Sequence, residues 1–169
     1  LDYVRHKVVL VTAHRRENLG KPLKDICLGL LDLMRDQEDV YLVYPVHPNP
    51  SVRDTVNEIL GGHERILLLP PLDTDEMHCL MSKCYMVMTD SGGLQEEAPS
   101  LGKPVLVLRT ETERPEAVKA GTVRIIGTQR NHVFEAARCL VTDGEECKKE
   151  RKERKSERNK KRKDTTKRK

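Results

Sequence analysis

Tyr85-Met86-Val87-Met88-Thr89-Asp90-Ser91-Gly92-Gly93-Leu94-Gln95-Glu96-Glu97 joins an apolar run to a helical pattern through one hydroxyl residue and two glycines. The uncharged run reads as a strand buried on both faces. A turn of this composition exposes several backbone N–H groups at the positive end of the helix that follows, a geometry that suits a phosphate group. Carboxylates one to two turns further in could accept hydrogen bonds from sugar hydroxyls. The stretch therefore points to a parallel α/β sheet carrying a site for a nucleotide or nucleotide-sugar. An ordinary strand-to-helix turn is the plain alternative, because Gly-rich turns are common.

The same alternation extends in both directions. Apolar, β-rich runs fall at 7–12, 40–44, 66–69, 85–89, 105–108 and 122–126. Helical patterns fall between and after them, at about 22–35, 52–60, 74–83, 93–101, 115–120 and 131–141. Gly61-Gly62 stops the second helix, and Asp73-Thr74-Asp75 offers caps for the third. Strands that are apolar almost throughout, separated by helices, predict a doubly wound, Rossmann-like parallel sheet covered on both faces.

The 169 residues suffice for one domain with a real core. There is no apolar run of membrane-spanning length and no secretory signal, so the chain is expected to be cytoplasmic. The opening Leu1-Asp2-Tyr3-Val4-Arg5-His6-Lys7 reads as the interior of a longer protein. Five cysteines, Cys27, Cys79, Cys84, Cys139 and Cys147, show no CxxC spacing. They predict reduced thiols, most of them small core residues, rather than a zinc site or a disulfide framework. The net charge of +4 conceals two regions. Residues 148–169 hold 14 of the 31 Lys/Arg and 4 of the 27 Asp/Glu, a local charge of +10. The first 147 residues keep 17 basic and 23 acidic groups, a net charge of −6. The basic segment has no aliphatic or aromatic residue and so no face to bury; it is expected to be disordered or a solvated helix.

Ligands of such sheets bind beyond the carboxyl ends of the strands. Those ends carry Ala13-His14-Arg15-Arg16-Glu17-Asn18, Pro45-Val46-His47-Pro48-Asn49-Pro50, Pro70-Pro71-Leu72-Asp73, Asp90-Ser91-Gly92-Gly93 and Arg109-Thr110-Glu111-Thr112-Glu113-Arg114-Pro115-Glu116. Arg15, Arg16, Arg109 and Arg114 on one edge of an acidic body could hold a diphosphate, since Arg presents forked donors to phosphate oxygens. His14 and His47 lack a third ligand at suitable spacing for a metal, so hydrogen bonding to a ligand or a structural role is expected. Glu96 and Glu97 differ in direction by about 100°, so at most one points into the cleft. Both could instead simply favour a helix start. Arg114 could be a plain surface charge, and Met77, Leu80 and Met81 read as a core stripe.

Five ordered motifs together carry a resemblance. Thr12 to Asn18, Tyr44 to Pro50, Thr89 to Pro99, Leu101 to Arg109 and Thr112 to Glu116 are similar to the C-terminal half of the non-hydrolysing UDP-N-acetylglucosamine 2-epimerases, over about residues 7–147. The resemblance implies one of two Rossmann-like domains that face each other in a glycosyltransferase-B architecture. It implies interconversion of UDP-N-acetylglucosamine and UDP-N-acetylmannosamine for polysaccharide precursors, with no redox cofactor and no metal. The C2 proton is removed and UDP expelled, then UDP adds back to the glycal with the other configuration at C2.

Carried over by motif, Ser91, Gly92 and Gly93 bind the diphosphate, Glu97 contacts the ribose, and Arg114 pairs with phosphate oxygens. His14 lies beside the reacting sugar as a catalytic residue. Arg15 and His47 resemble the lining of a neighbouring activator site for a second UDP-N-acetylglucosamine. Met77 stands where an aromatic residue often packs on the uracil. The family's other proton-transfer carboxylates belong to an N-terminal domain, and its Asn-Pro-Tyr-Gly-Asp-Gly-like segment is replaced here by the basic stretch. The implied partners are UDP-N-acetylglucosamine or UDP, the missing domain and a second copy. The competing readings are a related glycosyltransferase-B transferase, disfavoured by the two His motifs together, and a binding protein whose tail takes nucleic acid or an anionic surface.

Overall fold

The computed structural model describes residues 3, 5–109, 123–142, 156–157 and 159–167. Six parallel strands, β1 (Lys7–Thr12), β2 (Val40–Pro45), β3 (Ile66–Leu69), β4 (Met86–Thr89), β5 (Val105–Val107) and β6 (Val123–Ile125), form one sheet. Their order is β3-β2-β1-β4-β5-β6. The chain winds outward from β1 to β3, then returns to the other side of β1 to lay down β4 to β6. This is the doubly wound arrangement, and its switch point lies between β1 and β4.

Strand residues alternate between two cores because successive side chains point to opposite faces. Val9, Val11, Leu42, Tyr44, Met86, Met88 and Leu106 face three helices: α1 (Lys21–Asp36), α2 (Pro50–Leu60) and α5 (Arg130–Val141). Val8, Leu10, Val43, Val87, Val105, Val107 and Val123 face α3 (Thr74–Lys83) and α4 (Gly92–Ser100). Coverage of both faces is why the strands read as unbroken apolar runs.

The five large side chains that α1 buries, Leu23, Ile26, Leu30, Leu33 and Met34, contribute roughly 8–15 kcal/mol as an upper bound. A helix cap contributes about 1 kcal/mol, so packing holds this helix. Gly29 permits the close approach of α5. A Cβ there would lie 2.8 Å from the Arg130 carbonyl oxygen and 2.9 Å from Val133 Cβ. The Arg130 guanidinium clamps the same crossing, with Nε and Nη2 donating to Asp32 at 2.7 and 2.8 Å. Arg65 donates to the carbonyls of Met34, Gln37 and Val40, closing the carboxyl end of α1 over the start of β2.

Several boundaries differ from the sequence reading. Helix α2 starts at Pro50 rather than 52, because Asn49 accepts the Ser51 N–H at 3.0 Å and proline suits the first helical position. A 3-10 turn at Arg16–Asn18, absent from the reading, precedes α1. The helix expected at 115–120, and Arg114 with it, lie outside the described residues. Cys139 is disulfide-bonded, which corrects the expectation of thiols throughout. Cys27 and Cys84 are buried free thiols, pushed up to about 12 and about 11 by desolvation, and Cys79 is an exposed one. In the basic segment, residues 156–157 and 159–167 are helical and every one of them is exposed. Among the described residues, no helix is long and apolar enough to cross a membrane.

Candidate functional site

At the switch point, Thr12 and Thr89 are register partners, and their buried hydroxyls meet at 2.6 Å. Asp90 follows at once. Its N–H donates to the Thr12 carbonyl at 3.1 Å, and its side chain is fully buried. A buried carboxylate needs donors, and the loop after β1 supplies them. The N–H groups of His14 and Arg15 both donate to Asp90 Oδ2 at 2.9 Å, and Asn18 Nδ2 donates to it at 3.0 Å. The other hydrogen of the Asn18 amide goes to the Leu108 carbonyl, also at 3.0 Å. One carboxylate and one amide thus tie together the ends of β1, β4 and β5.

The phosphate-like corner is the start of α4. Ser91 stands at its N-cap without a side-chain cap bond, and no acidic residue occupies the first turn. Glu96 and Glu97 are exposed and lie beyond that turn, so they do not neutralise the positive helix end by the first-turn effect. The Ser91 N–H donates to Thr89 Oγ1 at 2.9 Å. The donors at this end without an intrahelical partner are therefore the N–H groups of Gly92, Gly93 and Leu94, with the Ser91 hydroxyl beside them. Gly92 does not have positive φ, and a Cβ on it would meet nothing within 4 Å. Among the described residues none forces a glycine here; its lack of a side chain leaves the space above the helix start open to them.

The imidazoles gather beside this corner. The His14 side chain is 41% exposed, and its ring stacks on that of His47 at 5.4 Å between centroids and 11° between planes. His47 Nδ1 accepts the Asn49 N–H at 3.1 Å, which leaves its Nε2 as the protonated nitrogen of the neutral ring. Tyr44 steadies the loop by donating from its hydroxyl to the Ala13 carbonyl at 2.6 Å. Burial, first of all, pushes that phenol well above its ordinary range, so it acts as a neutral donor.

The arginines behave differently from a simple phosphate clamp. Glu17 Oε1 lies 3.0 Å from Arg109 Nε and 3.4 Å from Arg15 Nε, so one carboxylate engages both guanidiniums. The structure therefore brings His14, Arg15 and His47 together and joins them through Asp90 to Ser91, Gly92 and Gly93. Met77 stands on α3, partly buried against the core on that side of the sheet. Sequence reasoning assigned no role to Asp90, Asn18, Glu17 or the threonine pair. The available signal was an aspartate directly between a buried strand and a Gly-rich helix start. Among the described residues, no group of three or more His, Cys, Asp or Glu could hold a metal ion.

The UDP-N-acetylglucosamine 2-epimerase family model matches residues 2–163, running past residue 147 into the basic segment. A Clostridium acetobutylicum protein provisionally named for that activity is 58% identical over 149 residues, covering 88% of this chain and 39% of its own length. The Staphylococcus aureus MnaA–UDP co-structure is 51% identical, with a TM-score of 0.81, over 86% of this chain and 40% of that one. The Neisseria meningitidis UDP-GlcNAc 2-epimerase bound to UDP-GlcNAc is 46% identical, with a TM-score of 0.79, over 81% of this chain and 37% of that one. The chain thus spans about 39% of the length of the first of these relatives. With the family model matched over most of its residues and the doubly wound sheet in place, this chain belongs to the UDP-N-acetylglucosamine 2-epimerase family.

Proposed function

We propose that this chain is the nucleotide-binding part of a UDP-N-acetylglucosamine 2-epimerase and that it holds UDP at the amino end of α4. The observation that carries the reading is the start of that helix, which has no side-chain cap bond and no acidic residue in its first turn, has no described atom within 4 Å of a Cβ on Gly92, and is joined through Asp90 to the His14 loop. Solved relatives contain UDP or UDP-GlcNAc, which supports the ligand class.

In this reading the Gly92 and Gly93 amides and the Ser91 hydroxyl receive the diphosphate, and Glu97 receives the ribose hydroxyls. Met77 packs on the uracil, and Arg114 adds a forked cation to the phosphates. His14 faces the leaving diphosphate and the sugar, while Arg15 and His47 line a neighbouring activator site. As the C2 proton leaves and the bond from C1 to UDP breaks, negative charge grows on the diphosphate. Preformed donors stabilise that charge without reorganising. Elimination and re-addition need neither a redox cofactor nor a metal.

An opposing Rossmann-like domain would supply the carboxylates that move the C2 proton, so this chain alone should bind UDP weakly and give no turnover. A second copy of the whole protein is the remaining partner implied by the family. The test is titration of UDP into 15N-labelled chain. Amide signals of residues 91–93 should move, and Gly92→Val should abolish the shifts while leaving the remaining spectrum native. Equal UDP binding by a folded Gly92→Val variant would overturn the placement, and epimerisation by this chain alone would overturn the need for a second domain.

A further inference from the structure

Asp90 carries more than the architecture of the loops. Its Oδ2 is saturated by three donors, whereas its Oδ1, also buried, has no hydrogen-bond partner among the described residues. A buried acceptor left unmade is costly. The His14 ring stands beside it, with Nδ1 3.9 Å from Asp90 Oδ1. The His14 backbone is already anchored by Oδ2 of the same carboxylate, and the ring is backed by His47. Rotation of the ring would have to close the remaining gap, and the backbone bond to Oδ2 holds the loop but leaves the side chain free to turn.

We infer that Asp90 is a positioning residue for His14: its Oδ1 accepts from Nδ1–H, which fixes the ring's tautomer and turns Nε2 outward over the start of α4. A hydrogen bond at one ring nitrogen determines what the other can do. The inference deepens the reading of His14 given above and rests on that reading for its significance. Nε2 becomes the atom that meets the ligand, and the carboxylate stabilises the ring whenever Nε2 also carries a proton.

The carboxylate geometry yields a sharp variant. In Asp90→Asn, the three donors around Oδ2 require the amide oxygen at that position, which places the NH2 group where Oδ1 was. That group donates. His14 Nδ1 must then accept, and the ring proton moves to Nε2.

The experiment reads the His14 ring nitrogens in the uniformly 15N-labelled full chain by two-bond correlation at pH about 9, above the ordinary imidazole range. His14→Gln identifies the signal by its loss. Wild type should show Nδ1–H, and Asp90→Asn should show Nε2–H. His47→Ala should retain Nδ1–H. A dominant Nε2–H form in wild type overturns the inference, even if Asp90→Asn does not fold. So does an unchanged tautomer in folded Asp90→Asn, or loss of Nδ1–H in His47→Ala. No nucleotide is present, so failure here and failure of UDP to bind are distinguishable.

Discussion

Asn18 is the member of the site whose removal can be valued most directly. It is almost fully buried, and its side-chain nitrogen donates at 3.0 Å to both Asp90 Oδ2 and the Leu108 carbonyl. Asn18→Ala removes one hydrogen bond to a charged group, worth about 1.5–3 kcal/mol, and one to a neutral carbonyl, worth about 0.5–1.5 kcal/mol. The central expectation is a loss of about 3 kcal/mol. For a chain of this size, each kcal/mol lowers the melting temperature by about 2–4 °C, so the transition should fall by roughly 6–12 °C. Asn18→Asp should be worse than Asn18→Ala at neutral pH, because it points acceptors at two acceptors and sets a second carboxylate against Asp90. Urea unfolding followed by circular dichroism gives both values, provided the transition is two-state. A loss below about 1 kcal/mol for Asn18→Ala, or Asn18→Asp proving the more stable variant, would refute the claim that this amide joins the three strand ends.

Two further perturbations test the scaffold beneath the site. Gly29→Ala should gain about 1 kcal/mol of helix propensity yet destabilise overall, because the new Cβ meets the Arg130 carbonyl oxygen at 2.8 Å and overpacking costs about 1–3 kcal/mol. A higher melting temperature would show that α1 and α5 are not pressed together there. The Arg130 hydrogen bond, more than any other cause, lowers the Asp32 pKa. A carboxyl lowered on folding stabilises above its unfolded value and loses that contribution as pH falls through the folded one. Arg130→Gln should therefore be less stable than wild type at pH 7, with the two converging as pH drops below the ordinary aspartate range of about 3.9. A difference that persists unchanged into strong acid would locate the effect in packing instead.

The sheet was legible because burial on two faces leaves little room for polar residues. Val40–Pro45 and Met86–Thr89 announce themselves as strands without help from their neighbours. Local hydrogen bonding was less visible: Asn49 moves the start of α2 two residues ahead of its apolar pattern. The edge that gathers His14, His47 and Ser91 followed from the topology alone. Asp90 could be quoted but not understood, because two of its three donors are backbone N–H groups 75 and 76 positions away. A backbone donor leaves no mark in the side-chain pattern. The arginines mislead for a related reason. Counting cations on an edge cannot reveal that Glu17 will sit between Arg15 and Arg109. The disulfide at Cys139 was hidden by reasoning from spacing, since pairing depends on proximity in the fold.

The bond from the Ser91 N–H to Thr89 Oγ1 changes how the phosphate corner should be understood. A donor already committed inside the protein contributes less to an incoming anion, so under the proposed function that work would pass to the glycine amides and the serine hydroxyl. In exchange, the turn is fixed to the Thr12–Thr89 pair, and Asp90 fixes it again to the loop that carries His14. The helix start and the backbone of the loop that carries His14 therefore belong to one hydrogen-bonded piece. If the proposed reaction holds, with charge placed on a departing diphosphate, that rigidity is an advantage, since donors that need not move stabilise charge more strongly than donors that must turn.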